Sequence, residues 1–425
     1  MTWRDSAGER HGPLARPALS TVDPSGRCYY LVGPSGYPNF GDELIAATWL
    51  RYLARTAPGA EVWLDCHSPG PAQLLLGGLH PRLRCVDTLW SLCGEAPSDD
   101  PWEVAAWVQE VVHDPGRAPR RDAGIALLGR ADVVHLIGGG YLNALWPRHL
   151  GLIAGAAAAA RRSGGRAAMT GQGFMPFPDG ATHLLRSLAD RFDVVDVRDD
   201  PSAELLAGSA AAYRTCDDVF LDLPEPSART RAREFVLCVQ SDIGDLEVST
   251  LAARVLGMLR AWRAEPGQIA VVEGIPRVDR AVHALLEHEL DGAEFHPFRD
   301  VWRHGVPVAP GQTWISTRYH LHLVAAAAGA TGVALSVSPD YYATKHRSLA
   351  DLGSGWTPLD ALSAEIPERP DGTGFPASVL RRCRQLKLSV AEAVYGTPPD
   401  ATTEPAGHPT ARRRVLRPRW SRTGG

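Results

Sequence analysis

Short apolar runs alternate with longer segments along most of the chain, from residue 27 onward. The short runs are rich in β-branched and aromatic residues, which is typical of buried strands, whereas the longer segments are rich in alanine, leucine and arginine, as in helices. This alternation predicts doubly wound α/β structure built on parallel sheets. In the first half it predicts strands at residues 28–33, 61–65, 133–137, 167–170 and 194–197, with helices at 43–55, 144–162, 181–192 and 201–207.

A break in the pattern divides the chain into two predicted domains. Pro224 and Pro226 interrupt any periodic element before the alternation restarts at Phe235. The second half is predicted to hold strands at 235–240, 269–273, 293–296, 313–316 and 332–337, with helices at 251–263, 280–290, 320–328 and 344–351. The predicted segments are a disordered start (1–26), an N-terminal domain (27–222), a linker (223–234), a C-terminal domain (235–377), a helix (378–397) and a disordered arginine-rich tail (398–425).

The length and composition fit two globular domains and rule out few classes of function. A chain of 425 residues exceeds the about 250–300 residues that one hydrophobic core usually organises. The net charge of −4 gives no reason to expect a nucleic-acid partner. Seven cysteines without a C-x-x-C pair fit a reducing compartment and offer no metal-ligand spacing. Since the first residues also lack the apolar stretch of a signal peptide, we expect a cytoplasmic protein.

The end of the chain differs in composition from the two predicted domains. Six arginines and Trp420 lie between residues 412 and 422, without an acidic residue. A solvated tail is the favoured interpretation of such a segment. Peripheral contact with an anionic membrane surface, at the inner face, is the second interpretation.

The loop between the first predicted strand and the first predicted helix contains the run Asn39-Phe40-Gly41-Asp42-Glu43. Loops at the carboxyl ends of parallel strands form the binding crevice of such sheets, and free amides at a helix start suit anions or hydroxyls. Asn39, Gly41 and Asp42 are therefore candidate site residues. The alternative is turn chemistry for Asn39 and Gly41, with Asp42 capping the helix.

Two further candidates follow predicted strands. The three glycines Gly138, Gly139 and Gly140 come directly after the strand at 133–137, where they would let the backbone approach a ligand closely or would serve a tight turn. Arg198 ends another apolar strand, from which a guanidinium could grip a carboxylate or phosphate with two hydrogen bonds. The alternative role for this arginine is an ion pair with Asp196, Asp199 or Asp200.

The second predicted domain carries a strand-to-helix junction with the run Ser316-Thr317-Arg318-Tyr319-His320. Arg318 and His320 are two residues apart, so both could project toward one pocket, and a helix N-terminus adds positive potential for a phosphate. Lys345 follows the last predicted strand and is one of only two lysines, the other being Lys387. In a chain that otherwise uses arginine, Lys345 is a candidate functional residue.

Taken in order, these runs resemble the sequence blocks of the polysaccharide pyruvyl transferase family between about residues 28 and 353. The run at 39–42 is similar to the family's N-x-G-D signature, and 316–320 is similar to its S-x-R-[hydrophobic]-H block. The runs at 138–140, 170–177, 198–202, 216–220 and 342–345 resemble further blocks, and Gln172 lies in the second of these. The resemblance implies two Rossmann-like α/β domains facing a cleft, in a glycosyltransferase-B-like arrangement.

The resemblance also implies an activity: transfer of pyruvate from phosphoenolpyruvate onto hydroxyls of a cell-surface polysaccharide or glycan precursor as a ketal, releasing phosphate. It implies that Arg198 and Arg318 hold the donor, that Lys345 adds charge, and that His320 protonates the donor carbon C3. Asp42 would act as a base or orient the acceptor. The further binding residues that it implies are Asn39, Gly41, Gly138, Gly139, Gly140 and Gln172.

The expected partners are phosphoenolpyruvate and a sugar or lipid-linked glycan acceptor, without a metal or a resident cofactor. Arginines could neutralise the phosphate, so the chemistry does not require a metal ion. Two alternatives share the fold: a glycosyltransferase that uses a nucleotide sugar, and a non-catalytic protein that binds sugar or phosphate. Fold alone does not distinguish these functions.

Overall fold

The computed structural model describes residues 26–209, 212–227, 232–242, 246–338 and 342–396. The predicted disordered segments lie outside the described residues, apart from Gly26. Residues 228–231 of the predicted linker also lie outside them. Within the described ranges, no helix is both long enough and apolar enough to cross a membrane.

The described N-terminal part forms a seven-stranded sheet in which all paired strands are parallel. Its strands are β1 (Cys28–Val32), β2 (Glu61–Asp65), β3 (Leu83–Val86), β4 (Val133–Leu136), β5 (Arg166–Gln172), β6 (Val194–Val197) and β7 (Ala212–Arg214). They lie in the order β3-β2-β1-β4-β5-β6-β7. The helices around this sheet are α1 (Phe40–Thr56), α2 (Pro69–Leu76), α3 (Thr88–Glu95), α4 (Pro101–His113), α5 (Asp122–Leu128), α6 (Leu150–Ser163), α7 (Thr182–Ala189) and α8 (Asp200–Leu205).

The described C-terminal part repeats this plan with six parallel strands. They are β8 (Phe235–Cys238), β9 (Ile269–Val272), β10 (Glu294–His296), β11 (Thr313–Ser316), β12 (Thr331–Ser336) and β13 (Thr357–Asp360). Their order is β10-β9-β8-β11-β12-β13. The remaining helices are α9 (Val248–Ala261), α10 (Arg280–Leu285), α11 (Phe298–His304), α12 (Tyr319–Ala327), α13 (Thr344–Asp351) and α14 (Ala377–Tyr395).

Both sheets reverse their strand order at one place, between β1 and β4 in the first sheet and between β8 and β11 in the second. In open parallel sheets this reversal leaves a crevice beyond the carboxyl ends of the strands, where ligands bind. The predicted fold class, two Rossmann-like α/β domains facing a cleft, is confirmed.

The helix predicted at residues 144–162 begins later, at Leu150. The side chain of Asn143 donates to the carbonyl of Gly140 and accepts from the amide of Leu145, which holds the preceding residues in a turn. Pro147 then begins a short 3₁₀ turn before α6. Residues 144–149 therefore belong to a loop after β4 and not to the helix.

Helix α14 leaves the C-terminal domain and packs against the N-terminal sheet. Tyr395 donates to or accepts from Nδ1 of His135 in β4 at 2.7 Å, and Arg166 of β5 donates to the carbonyl of Gly396 at 2.9 Å. The Nζ atom of Lys387, also on α14, lies 2.8 Å from a carboxylate oxygen of Asp218. The predicted helix at 378–397 thus belongs to the core of the first domain, and it ties the two domains together.

Candidate active site

A cavity of about 550 Å³ lies between the domains, at the carboxyl edges of both sheets. Its volume is within the range of about 300–1,000 Å³ that is typical of small-molecule sites. The N-terminal loops contribute Asn39, Gly41, Asp42, Gly140 and Arg198 to its lining, and the C-terminal loops contribute Asp242, Arg318, Tyr319, His320, Tyr342 and Lys345. The fold therefore brings most of the sequence-predicted site residues into one space.

Helix α1 begins at this cavity, and its cap differs from the sequence-based alternative. Asn39, not Asp42, caps the helix, because the Asn39 side chain accepts a hydrogen bond from the amide of Gly41. The Asp42 carboxylate is thereby left to line the cavity. A Cβ atom at Gly41 would lie 1.9 Å from Nδ1 of His320, so only glycine lets α1 and α12 approach this closely.

Asp42 is surrounded by cationic side chains. Burial raises the pKa of its carboxyl group, because a charged carboxylate loses solvation there. The charges that oppose this rise belong to His320, Lys345, Arg198 and Arg318. A buried carboxylate with a raised pKa is suited to accept a proton from a nearby hydroxyl group.

Asp217 links Arg198 to His320. Its Oδ2 atom lies 2.8 Å from Nη1 of Arg198 and 3.4 Å from Nε2 of His320. Burial opposes ionisation of Asp217, but His320 and Arg198 outweigh it and hold its pKa below the usual range. The predicted alternative for Arg198, an ion pair with a neighbouring aspartate of its own strand end, is wrong because Asp217 is nearer to the guanidinium. Asp217 lies in the run at 216–220, but the sequence pattern assigns it no role.

The Arg198 guanidinium is fixed by its surroundings and retains binding capacity. It lies over the ring of Tyr319, 4.4 Å from the ring centroid, and its buried Nε atom has no hydrogen-bond partner among the described residues. A Cβ atom at Gly173 would lie 2.7 Å from this Nε. The guanidinium also lines the cavity, and its Nη2 atom would lie 3.2 Å from a Cβ atom at Gly140, so an anion in the cavity can meet this end of the side chain.

Arg318 has more partners within the protein than Arg198 has. Its Nε atom donates to Asp279 at 3.0 Å, and its Nη2 atom donates to Asp242 at 2.9 Å. Two carboxylates therefore balance its charge before any ligand binds. Its backbone also forms the N-cap of α12, so the same residue fixes the start of the helix that carries His320.

Lys345 lies in the first turn of α13 with 6% of its surface exposed. Burial lowers its pKa well below the usual value, and the charge of Arg198 lowers it further, while Asp42 acts in the opposite direction. A Cβ atom at Gly140 would lie 2.8 Å from the Lys345 Nζ atom. Gly140 thus provides space for a lysine whose charged form would be favoured by an anion.

Three of the predicted binding residues, Gly138, Gly139 and Gln172, lie behind the cavity and are not among the described residues that line it. The Gly138 amide donates to Asp218 at 2.9 Å, and Gln172 Nε2 donates to the carbonyl of Ile137 at 2.7 Å. Gly139 has a φ of 145°, which side-chain-bearing residues rarely adopt. Their contacts fix the loop that carries Gly140. Gly138, Gly139 and Gln172 are therefore structural positions and do not contact a ligand in the cavity.

Among the described residues, no group of three or more histidine, cysteine, aspartate or glutamate side chains could hold a metal ion. The ionisable groups that line the cavity include Arg198, Arg318, Lys345, His320, Asp42 and Asp242. Anion binding and proton transfer are the two tasks that such groups perform.

Solved structures with a similar fold include several enzymes of nucleotide-sugar metabolism. A UDP-N-acetylglucosamine 2-epimerase is 12% identical, with a TM-score of 0.50 over 89% of this chain and 99% of that one. The UDP-GlcNAc 2-epimerase from Neisseria meningitidis bound to UDP-GlcNAc is 10% identical, with a TM-score of 0.47 over 86% and 99%. Acinetobacter baumannii MurG is 13% identical, with a TM-score of 0.43 over 86% and 91%. At these identities the likeness concerns the fold alone.

The sequence comparisons are more specific. No curated protein sequence matches the chain significantly. The sequence model of the polysaccharide pyruvyl transferases matches residues 39–339, which include all the predicted site residues except Lys345. The chain therefore belongs to the polysaccharide pyruvyl transferase family.

Proposed function

We propose that this enzyme transfers pyruvate from phosphoenolpyruvate to two neighbouring hydroxyl groups of a sugar, forming a ketal and releasing phosphate. The observation that carries the proposal is the convergence of Arg198, Lys345 and His320 on one cavity, with Asp217 linking Arg198 to His320. Phosphoenolpyruvate needs cations for its phosphate and carboxylate groups and an acid for its methylene carbon, and this cluster supplies both. The acceptor is a polysaccharide or a glycan precursor, in keeping with the family.

Arg198 and Lys345 are the best-placed groups for the donor anion. Arg198 and Lys345 both line the cavity, and since burial lowers the pKa of Lys345, an anion there would favour its charged form. Helix α12 begins beside them at Tyr319, so its free amides favour a phosphate or carboxylate at the same place. Arg318, which already pairs with Asp279 and Asp242, contributes by holding this helix start in position.

The reaction then proceeds by proton transfer and two carbon–oxygen bond formations. His320 gives a proton to C3 of the donor, which becomes a methyl group and leaves C2 electron-poor. A sugar hydroxyl oxygen attacks C2 while Asp42 accepts its proton. The bond from C2 to the phosphate oxygen then breaks, phosphate leaves with the bonding electron pair, and the second hydroxyl oxygen bonds to the electron-poor C2 that results. The proton of the second hydroxyl is released with the phosphate or returned to His320.

His320 suits the acid role because histidine is the side chain that most often acts as a general acid, and its Nε2 atom lies 3.4 Å from Oδ2 of Asp217. Positioned acid catalysis is typically worth about 10² to 10⁴ in rate. Asp217 is therefore a positioning residue for His320 as well as a partner of Arg198.

The experiment is the pair of variants His320→Ala and Arg198→Ala, tested for phosphoenolpyruvate-dependent phosphate release with a panel of sugars that carry paired hydroxyls. We expect His320→Ala to lower kcat by about 10² or more and to leave the Kd of phosphoenolpyruvate within a few-fold of the parent. Arg198→Ala should weaken phosphoenolpyruvate binding itself, because the fork of the guanidinium matches carboxylate or phosphate oxygens. Calorimetry measures the Kd values.

Two results would contradict the proposal. One is turnover of His320→Ala within a few-fold of the parent, with phosphoenolpyruvate as donor. The other is a melting temperature of the parent that nucleotide sugars raise and phosphoenolpyruvate does not, which would favour a glycosyltransferase. If both donors left the melting temperature unchanged while a sugar raised it, the chain would be a sugar-binding member without this chemistry.

A further inference from the structure

The cavity has a second wall whose chemistry differs from that of the cationic cluster. Four side chains that line the cavity form it: Tyr37, His67, Trp146 and His149, here called the aromatic wall. They come from the loops that follow β1, β2 and β4, so all lie on the N-terminal domain. Tyr37 and Trp146 are 64% and 36% exposed, and both line the cavity.

The rings of the wall support one another. Trp146 stacks on His149 with ring centroids 6.0 Å apart and an angle of 17° between planes. Trp90, which is buried behind the wall, lies 3.8 Å from His67 and 4.8 Å from His149 between ring centroids. The planes of His67, His149 and Trp146 are therefore fixed before a ligand arrives, which lowers the entropic cost of binding.

The aromatic wall carries no charge at neutral pH. Burial lowers the pKa of His67, and burial lowers the pKa of His149 to about 4, although its bond to a backbone carbonyl acts in the opposite direction. Nδ1 of His149 lies 2.8 Å from the carbonyl oxygen of Tyr141, which can only accept, so the proton of the ring is on Nδ1. Nε2 of His149 is consequently a hydrogen-bond acceptor.

These features match an uncharged sugar ring. The C–H face of a pyranose is apolar and packs on an aromatic ring, whereas its hydroxyl groups need donors and acceptors at the rim. The wall provides a stacked indole, a phenol and a neutral imidazole with a free acceptor nitrogen. A phosphate or carboxylate, in contrast, would find no cation on this wall and is drawn to Arg198 and Lys345 across the cavity.

We propose that the aromatic wall is the acceptor subsite, and that it selects an uncharged hexose unit whose apolar face stacks on Trp146 and Tyr37. The inference rests on the proposed function and adds the chemical class of the acceptor. Asp42 and His320 line the same cavity, so a sugar held there shares one binding space with both. Trp146 and Tyr37 are then specificity-determining residues for the acceptor and have no part in holding phosphoenolpyruvate.

The kinetic test uses Trp146→Ala, Tyr37→Ala and the conservative variant Trp146→Phe. Trp146→Ala should raise the KM for a neutral acceptor at least about ten-fold, the scale of one lost aromatic contact of about 1.4 kcal/mol, with the KM for phosphoenolpyruvate unchanged. Trp146→Phe should recover most of the loss. Trp102→Ala is the matched control, because Trp102 is 46% exposed on α4 and does not line the cavity.

A binding experiment separates this inference from the donor assignment. Saturation-transfer NMR, without any donor, would compare methyl glycosides of neutral hexoses with the matching methyl uronide on the parent and on Trp146→Ala. We expect neutral glycosides to give the stronger signal and Trp146→Ala to lose it. Retention of that signal in Trp146→Ala, or a stronger signal from the uronide, would overturn the acceptor subsite even if phosphoenolpyruvate were turned over. Loss of the signal in Trp146→Ala would support the subsite even if phosphoenolpyruvate proved not to be the donor.

Discussion

The only two lysines of the chain are both buried, yet burial has opposite outcomes for them. Lys345 lies in the cavity, and its pKa falls well below the usual value. Lys387 lies on α14 behind the N-terminal sheet, and its pKa is raised above the usual value. Because loss of solvation disfavours the charge in both places, the neighbouring groups decide the difference.

The surroundings of Lys387 form a closed set of partners. Its Nζ atom contacts Asp196 and lies 2.8 Å from Asp218, and these carboxylates outweigh the cost of burial. Asp218 also accepts from Trp49 Nε1 at 2.7 Å and from Thr170 Oγ1 at 2.6 Å. A cluster with its charges and donors satisfied in this way is built for stability.

At Lys345, burial outweighs the attraction of the carboxylates of Asp42 and Asp199. Arg198 repels it, and the attraction of Asp42 does not reverse the fall in its pKa. A dianionic phosphate in the cavity would favour the charged form of Lys345. The two buried lysines therefore have different roles. Lys387 is kept charged by its carboxylate partners and stabilises the fold, whereas the charged form of Lys345 becomes favourable when an anion binds.

The largest expected effect is on stability and comes from Lys387→Met. Removing the ammonium leaves two buried carboxylates without their common partner, and breaking a buried ion pair in this way typically costs about 3–5 kcal/mol. Urea unfolding followed by fluorescence measures the loss. Lys345→Met is the matched control, and it should retain the stability of the parent or exceed it. Equal losses in the two variants would show that the comparison is wrong.

A second large effect is on ligand affinity and comes from Lys345→Met. We expect the Kd of phosphoenolpyruvate to rise about ten-fold or more, because a hydrogen bond to a charged group contributes about 1.5–3 kcal/mol. Calorimetry measures the change. Arg299→Met is the control, since it removes one positive charge from an exposed position away from the cavity. An unchanged Kd in Lys345→Met would exclude this lysine from the donor site.

A smaller effect is the uptake of protons on binding. Since an anion raises the lowered pKa of Lys345, phosphoenolpyruvate should bind with net proton uptake at neutral to mildly alkaline pH. Calorimetry in two buffers of different ionisation enthalpy measures the number of protons. Lys345→Met should lose most of the uptake. Proton release by the parent would contradict the assignment.

Much of the fold and part of the site could be predicted from the sequence. The strongly apolar inner strands were found, but the edge strands β3, β7 and β13 were missed, because they are short and partly exposed and one of them contains Pro358. Candidate residues at strand ends converge because parallel strands bring those ends together. The partners of the arginines were missed because the pairs join residues that are distant in sequence, such as Asp242 and Arg318, 76 residues apart.

The aromatic wall and the Lys387 cluster were beyond sequence reasoning for a similar reason. His67 and His149 follow different strands, and their contact with Trp90 has no local pattern. Lys387 looks like a surface residue of an amphipathic helix until α14 is placed against the first domain. The one sequence signal for a special role of Lys387 was the rarity of lysine in the chain, and this signal was applied to Lys345 alone.

The smallest expected effect concerns how the stability of Lys345→Met depends on pH. A lysine whose pKa is lower in the folded than in the unfolded protein binds fewer protons when folded, so stability rises with pH between those two pKa values. Burial of the charged Lys345 therefore lowers the stability of the parent by the full amount below the pKa of the folded protein. This loss of stability disappears as the pH rises toward the unfolded pKa of 10.5.

Lys345→Met lacks this penalty, so its melting temperature should exceed that of the parent at neutral pH by a few degrees, and the difference should shrink as the pH rises. Scanning fluorimetry from about pH 6 to about pH 10, in buffer without phosphate, measures the difference. Excess phosphoenolpyruvate should reverse the order at neutral pH, since it stabilises the parent more than the variant. A difference that stayed constant with pH would mean that Lys345 is not the group that titrates, and the distinction between the two lysines would then rest on ligand affinity alone.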